Sequence, residues 1–272
     1  MPGVSTSRVV LGAFGVIAAT LVLAACQQAE PTATPVPPTA TRVPATPTPA
    51  PTAMAVAAPI TSFAIALKEQ NSSGQTGHAV LTAKGEQTEV VLKATSGISR
   101  ANHIHSGTCA TLGGVAHPLT NMADGSSVTT VNASVSSLLT GGFAINLHNA
   151  TNAGVYTSCG DIPAQGKVLV VELKELKASG QTGTATLISS AADKTDVVLV
   201  ATTGISRANH IHSGTCAQLG GVAHGLTNMA DGVSVTTVNA GLDSLRTGAF
   251  AINLHKATDA SVYTACGDIP KP

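Results

Sequence analysis

One ten-residue string occurs twice in this chain of 272 residues. Residues 100–109 read RANHIHSGTC, and residues 207–216 read the same string again, at an offset of 107. The histidines and cysteines that follow the string keep this offset, whereas SGQTG at 73–77 recurs at 179–183 with an offset of 106. The chain is therefore a tandem duplication in which one residue was gained between the two motifs. A length change of this kind is typical of a hairpin tip.

The duplication sets the domain organisation. We place the two repeats at 59–163 and 166–270, and each is near the usual size of a domain. Short runs rich in Val, Ile, Thr and Ala are separated by Gly, Asn, Asp and Ser, and only ASVSSLL suggests a helical turn. Regularly spaced short strands predict an all-β fold with two tandem sandwich or barrel domains.

The chain begins with a segment that belongs to neither repeat. Residues 9–25 are apolar apart from Thr20, a run somewhat short for a membrane-spanning helix, which needs about 20 residues. The four residues LAAC at 23–26 resemble the lipobox of bacterial lipoproteins. This resemblance implies that residues 1–25 are a signal peptide and that Cys26 carries a lipid. An uncleaved membrane anchor is the alternative.

The segment that follows is a predicted disordered stalk. Residues 26–58 hold the lipid anchor at Cys26 and a linker composed mostly of Pro, Thr and Ala. Such a composition favours extended conformations of about 3.1 Å per residue. We therefore expect an extracytoplasmic protein attached to the cell membrane through its lipid. Nucleic acid is not an expected partner, because the formal net charge is zero and aromatic residues are few.

The cysteine count fits this location. The chain has five cysteines, and Cys26 is assigned to the lipid. The four that remain are Cys109, Cys159, Cys216 and Cys266. An oxidising compartment makes two disulfides the expected state of these four residues.

The histidines are the candidate functional residues. His103 and His105 flank Ile104, so on a strand both imidazoles project from one face while Ile104 points to the other. His148 ends the apolar run FAINLH, and His117 lies in a predicted Gly-rich loop, LGGVAHPL. Four imidazoles from two strands and a loop suit copper or zinc. The absence of thiolate and carboxylate ligands favours copper.

The second repeat carries the same four histidines. Together the two sets account for eight of the nine histidines in the chain. The equivalent candidate ligands are His210, His212, His224 and His255. The alternative is that these histidines lie on a polar strand face and bind no metal. Their concentration in the repeated set favours a metal site.

The order of these residues is similar to that in the copper–zinc superoxide dismutase family. That family has an HxH pair, a cysteine, a Gly-rich stretch with a third histidine, a fourth histidine and a late Cys-Gly. The resemblance implies a Greek-key β-barrel, copper held by the four histidines of each repeat and superoxide, a small anion, as substrate. It also implies the disulfides Cys109–Cys159 and Cys216–Cys266.

Two departures from the dismutase pattern change what is expected. No histidine lies between His117 and His148, so a zinc site is not expected. The family's active-site arginine is replaced by Tyr156, and by Tyr263 in the second repeat. Because capture of superoxide depends on local positive charge, this replacement weakens the case for fast dismutation.

The strings ANHIH and INLH are also similar to those of chordin-type (CHRD) domains of bacterial secreted proteins, which are β-rich modules. Two functional hypotheses follow. The first is a copper-binding, dismutase-like lipoprotein that dismutes superoxide or holds copper. The alternative is a non-catalytic CHRD-like β-module for adhesion or scaffolding at the cell surface.

Overall fold

The structure is a computed structural model that describes residues 59–95, 100–202 and 207–272. The predicted signal peptide, Cys26 and the predicted stalk lie outside these residues. Within the described ranges, no helix has the length and apolar character needed to cross a membrane.

The first repeat forms eight strands and one short helix. They are β1 (Ser62–Glu69), β2 (Gly77–Lys84), β3 (Gln87–Ala94), β4 (Asn102–Thr108), β5 (Thr111–Pro118), β6 (Ser126–Val131), α1 (Val135–Leu138), β7 (Thr140–His148) and β8 (Tyr156–Ala164). The single turn α1 is the one that the sequence suggested, and the Ser134 hydroxyl caps it by accepting a hydrogen bond from the Ser137 N–H.

The second repeat forms the same elements in the same order. They are β9 (Val168–Glu175), β10 (Gly183–Ala191), β11 (Lys194–Ala201), β12 (Asn209–Thr215), β13 (Gln218–Gly225), β14 (Val233–Val238), α2 (Leu242–Leu245), β15 (Phe250–Lys256) and β16 (Asp259–Asp268).

Each repeat is one curled antiparallel sheet. In the first, the strand order is β5-β4-β7-β8-β1-β2-β3-β6, and the second repeats this order from β13 to β14. Strand β7 returns beside β4 rather than beside β6, which is the crossover of a Greek key. Strands β1 and β8 pair only at Lys68–Cys159 and Glu69–Ser158, so the sheet bends there into a half-barrel. The prediction of an all-β chain with two tandem domains is confirmed.

The core lies inside the curl. Alternate residues of β1, Phe63, Ile65 and Leu67, are each 1% exposed. They meet the inner residues Ile104 and Ile145 of the opposite half, which are fully buried. Full burial of a side chain of this size contributes about 1.5–3 kcal/mol. The histidines of β4 and β7 therefore lie on the opposite face of these strands, away from the core.

The extra residue of the second repeat lies where the sequence predicted it. In the first repeat, the β2–β3 ladder continues without interruption to the pair Lys84–Gln87. The β10–β11 ladder shifts register between Ser189 and Ala191, which leaves Ser190 as the added residue. A β-bulge beside the hairpin tip thus absorbs the length change without altering the strands that carry the histidines.

The two repeats contact each other through β1, β10 and β11. The backbone N–H of Ala64 donates to Thr186 Oγ1 at 2.8 Å, and this contact is buried. Lys68 Nζ lies 2.7 Å from Asp196 Oδ2. The outer face of β1 is thus covered by the second repeat, which explains why Ala64 is buried although it points away from the core of its own domain.

Candidate metal centre

Strands β4 and β7 place three histidines together. His103 and His105 flank the fully buried Ile104, so both imidazoles project from the face opposite the core. In the β4–β7 ladder His103 lies across from Asn146, and cross-strand partners share a face. His148, two residues after Asn146, lies on that face as well. The predicted grouping of these three histidines therefore follows from strand register.

The three rings form a compact cluster. One potential ligand nitrogen from each ring lies within 4.8 Å of the others. His103 Nδ1 is 3.0 Å from His148 Nε2. The His105 and His148 side chains are buried, and His103 is half-buried. The cluster therefore opens to solvent on the His103 side.

Two backbone carbonyls fix the proton positions on the buried rings. His105 Nδ1 is 2.8 Å from Gly113 O, and His148 Nδ1 is hydrogen-bonded to Ala153 O. A carbonyl oxygen only accepts, so both Nδ1 atoms carry a proton, and in the neutral ring Nε2 is then the proton-free nitrogen. His105 Nε2 is buried without a hydrogen-bond partner among the described residues. An imidazole oriented in this way is the typical form of a metal-ligating histidine.

The third ring completes the hydrogen-bond network. Because His148 Nε2 is proton-free, it accepts a hydrogen bond from His103 Nδ1 and a weak one from Asn146 Nδ2 at 3.4 Å. The Asn146 side chain is fully buried, and its Oδ1 has no partner within the described part of the chain. With neutral rings, every hydrogen bond of the cluster therefore joins one donor to one acceptor.

The surroundings oppose protonation. Burial lowers the pKa of His103 below its ordinary value of 6.5, and the adjacent His148 and His105 lower it further because like charges repel. The same three causes, in the same order, lower the pKa of His210 in the second repeat. The neutral form that can bind a metal is thus the favoured one.

The second repeat reproduces these contacts. His210 Nδ1 is 2.9 Å from His255 Nε2. The Nδ1–H groups of His212 and His255 donate to Gly220 O, at 2.8 Å, and to Ala260 O. His212 Nε2, like its counterpart, is buried without a partner in the described residues.

The structure does not bring the predicted fourth histidine to the cluster. The Gly-rich segment that was expected to be a loop is strand β5, and His117 lies across from Ile104. His117 therefore shares the core-facing side, and its ring lies 6.2 Å from that of Phe143. His224 lies in the same way 6.4 Å from Phe250. The candidate site consequently has three histidines in each repeat.

Both predicted disulfides are present. Cys109–Cys159 and Cys216–Cys266 have Cα–Cα distances of 5.7 and 5.8 Å. Each joins the turn after the HxH strand to the last strand of its repeat. Asp161 Oδ1 accepts a hydrogen bond from the Cys109 N–H at 2.6 Å, so this carboxylate holds the turn after β4. Bridge and carboxylate together fix the hairpin that carries the Gly113 carbonyl.

Comparison with known families now gives the relationship. The CHRD domain family matches residues 57–155 and 171–261, well over half of the chain. The protein belongs to the CHRD family. Each CHRD match contains the complete histidine cluster of its repeat and ends before the second cysteine of the disulfide. Comparison with curated proteins gives no match.

The CHRD match supports the second of the two resemblances, and the dismutase resemblance stays a prediction. At the position of the dismutase arginine, the Tyr156 ring lies 5.1 Å from His148 and 6.2 Å from His105. Each CHRD domain thus places a neutral aromatic ring against its cluster, since Tyr263 occupies the equivalent position.

Some of the groups that build the site were not anticipated. The carbonyls of Gly113 and Ala153 give no sequence signal, because every residue has a carbonyl and only the fold selects two of them. Asn146 did carry a signal, since it stands two residues before His148 on the same strand face.

Proposed function

We propose that this protein is a non-catalytic pair of CHRD domains displayed at the cell envelope, and that each domain holds one copper ion with three histidines. The ligands are His103, His105 and His148 in the first domain and His210, His212 and His255 in the second. The observation that carries the proposal is the buried Nε2 of His105, which has no partner in the described residues while Gly113 O holds the proton on the other nitrogen.

The spacing of the ligand atoms fits an ion. Two nitrogens bound at about 2.0–2.1 Å to one metal, at angles from a right angle to tetrahedral, are about 2.9–3.4 Å apart. His103 Nδ1 and His148 Nε2 are 3.0 Å apart. A metal would take the place of the proton between them once His103 carries its proton on Nε2 instead. His105 completes the set within 4.8 Å, so a small movement of its side chain brings the third nitrogen into range. An unpaired buried nitrogen is costly in the free protein, and a metal removes that cost.

The ligand chemistry favours copper over other ions. Neutral imidazole nitrogens suit copper and zinc, whereas magnesium and calcium prefer oxygen ligands. Divalent copper binds such sites more tightly than zinc in the general affinity order. Bound copper supplies one-electron redox chemistry. The protein's own contribution is to keep the rings neutral, oriented by carbonyls and largely shielded from water.

Two observations support holding copper rather than turning over superoxide. The family of the chain is a β-module, and the residue beside each cluster at the dismutase arginine position is a tyrosine. A neutral ring provides no charge to draw in an anion. Dismutation remains the competing hypothesis, and it is tested below by activity per bound copper.

The location follows from the cysteines. Two disulfides fit an extracytoplasmic protein, because such bonds persist in oxidising compartments. We propose in addition that a lipid on Cys26 anchors the chain and that the Pro- and Thr-rich residues 27–58 hold the domains away from the membrane. A pair of domains on such a stalk is suited to adhesion or scaffolding at the cell surface.

Metal stoichiometry tests the proposal. The full chain, loaded with copper and dialysed, is expected to retain two coppers per chain with a nitrogen-rich electron paramagnetic resonance spectrum. His105→Ala should retain one, and His105→Ala combined with His212→Ala should retain none. The matched control, His117→Ala with His224→Ala, should retain two.

Each alternative has a distinct outcome in these measurements. Retention of two coppers by the His105→Ala/His212→Ala chain would show that the ligand set is wrong. Failure of the wild-type chain to retain copper would leave the β-module without a metal. Superoxide dismutation that rises in proportion to bound copper would replace the non-catalytic reading with the dismutase hypothesis.

A further inference from the structure

The second domain has a cationic cavity beside its histidine cluster. The cavity has a volume of about 280 Å³ and is lined by His255 together with Lys177, Arg207 and Lys256. No aspartate or glutamate is among the described residues that line it. Three basic side chains around one small cavity produce a local field that attracts an anion.

Arg207 is the buried member of this set. It is 4% exposed, and its guanidinium donates to two neutral acceptors, Gln181 Oε1 and Thr202 O. Its Nε–H is buried with no partner, and no carboxylate lies within 4 Å of the guanidinium among the described residues. A buried cation without a counter-charge is expensive, so an anion bound in the cavity would offset a cost that the free domain bears.

Lys177 is not explained by the turn in which it lies. Its φ of +53° is left-handed, a conformation that asparagine tolerates well and lysine does not. The first domain has Asn71 there, with φ of +55°, and its side chain donates to Tyr156 O at 2.9 Å. With lysine in place of asparagine, the second domain lacks this hydrogen bond and has a residue less suited to the left-handed conformation. The gain at this position is a positive charge.

Lys256 is the third cation, and the first domain has Asn149 in its place. The carboxylates in the neighbouring turns are already engaged. Asp259 accepts hydrogen bonds from the N–H and hydroxyl of Ser261, and Glu175 accepts one from a backbone N–H. Within the described residues neither lies within 4 Å of a lysine nitrogen, so neither forms an ion pair with the cavity lysines. Hydrogen bonds from Ser261 lower the pKa of Asp259, and the charge of Lys256 lowers it further, so Asp259 offsets part of the positive charge. The three cations of the cavity still outnumber these two carboxylates.

We infer that the second CHRD domain binds a small organic polycarboxylate in this cavity, and that the first domain does not. Several basic groups in one cavity match an anion with more than one carboxylate. The cavity walls also include Ala257, Val262 and the ring of Tyr263, which suit a carbon skeleton. A volume of about 280 Å³ limits the ligand to a small molecule. Because the basic residues are not the proposed copper ligands, binding does not require a metal.

Calorimetric titration of the full chain with citrate tests this inference. The chain is first stripped of metal on a chelating resin, so that the result is independent of copper. We expect one citrate per chain. Lys177→Asn with Lys256→Asn, which restores the residues of the first domain, should weaken citrate binding at least tenfold. The reciprocal change, Asn71→Lys with Asn149→Lys, should create a second site.

The controls distinguish binding in this cavity from non-specific attraction of citrate to positive surface charge. Lys194→Asn with Lys271→Asn removes the same charge from exposed positions that do not line the cavity and should leave citrate affinity unchanged. Loss of binding in that control, or full binding by the Lys177→Asn/Lys256→Asn chain, would overturn the site. Phosphate binding as tight as citrate would overturn the assignment to an organic polycarboxylate. If the wild-type chain fails to retain copper after loading and dialysis but binds citrate in this titration, the proposed function is refuted and this inference stands.

Discussion

The Cys109–Cys159 bridge should supply a large part of the stability of the first domain. The two cysteines are 50 residues apart, and closing a loop of that length removes unfolded-state entropy worth about 4 kcal/mol at 25 °C. Replacing both with serine keeps the hydrogen bond to Asp161, because its donor is the backbone N–H of residue 109. We therefore expect the free energy of unfolding to fall by about 4 kcal/mol, a large loss for a domain with a total of about 5–15 kcal/mol.

Scanning calorimetry and urea unfolding measure this effect. A loss of about 4 kcal/mol in a domain of this size lowers its Tm by about 16 °C or more. The unaltered second domain is the internal control, and Cys216→Ser with Cys266→Ser should move the loss to that domain. A fall of less than about 1 kcal/mol would refute the argument from loop closure, and would mean that the denatured chain is already compact without the bridge.

Two further predictions concern packing and pH. A Cβ on Gly160 would lie 2.3 Å from the Ala66 carbonyl oxygen, so Gly160→Ala should cost about 1–3 kcal/mol in urea unfolding, whereas Gly114→Ala, with no atom within 4 Å, should cost less than about 0.5. Because the pKa of His103 and His210 lies below 6.5, the metal-free protein should lose stability as pH falls below 6.5, where the unfolded chain binds protons that the folded chain does not. Copper retention should fall only in the same acidic range, and half-loss above pH 6.5 would contradict this reasoning.

Strand periodicity made much of the site predictable. A spacing of two places His103 and His105 on one face, and the apolar alternation of FAINLH places His148 on the same side of its own strand. The cysteines were predictable because an oxidising compartment leaves few other states for four repeated thiols. The hairpin bulge at Ser190 was visible as a change of offset between the repeats.

What sequence could not provide was the pairing of strands. His117 was expected in a flexible loop because glycines surround it, yet those residues form an edge strand that fixes its ring opposite Ile104. Hydrogen bonds between strands are made by backbone groups that all residues share, so register is not written in side-chain types alone. For the same reason, the sequence did not predict that the Gly113 and Ala153 carbonyls orient the ligands.

The contact between the two domains is asymmetric, because each domain contributes a different surface. Strand β1 of the first domain lies against β10 and β11 of the second, so the partners contribute different surfaces, as in a head-to-tail contact that need not close. A further copy added in the same way would meet β2 of the first domain. There Val80 stands in place of Thr186, so the hydroxyl that accepts the Ala64 N–H between the two domains has no counterpart in that contact. The divergence of the repeats thus removes this hydrogen bond from any further contact of the same kind.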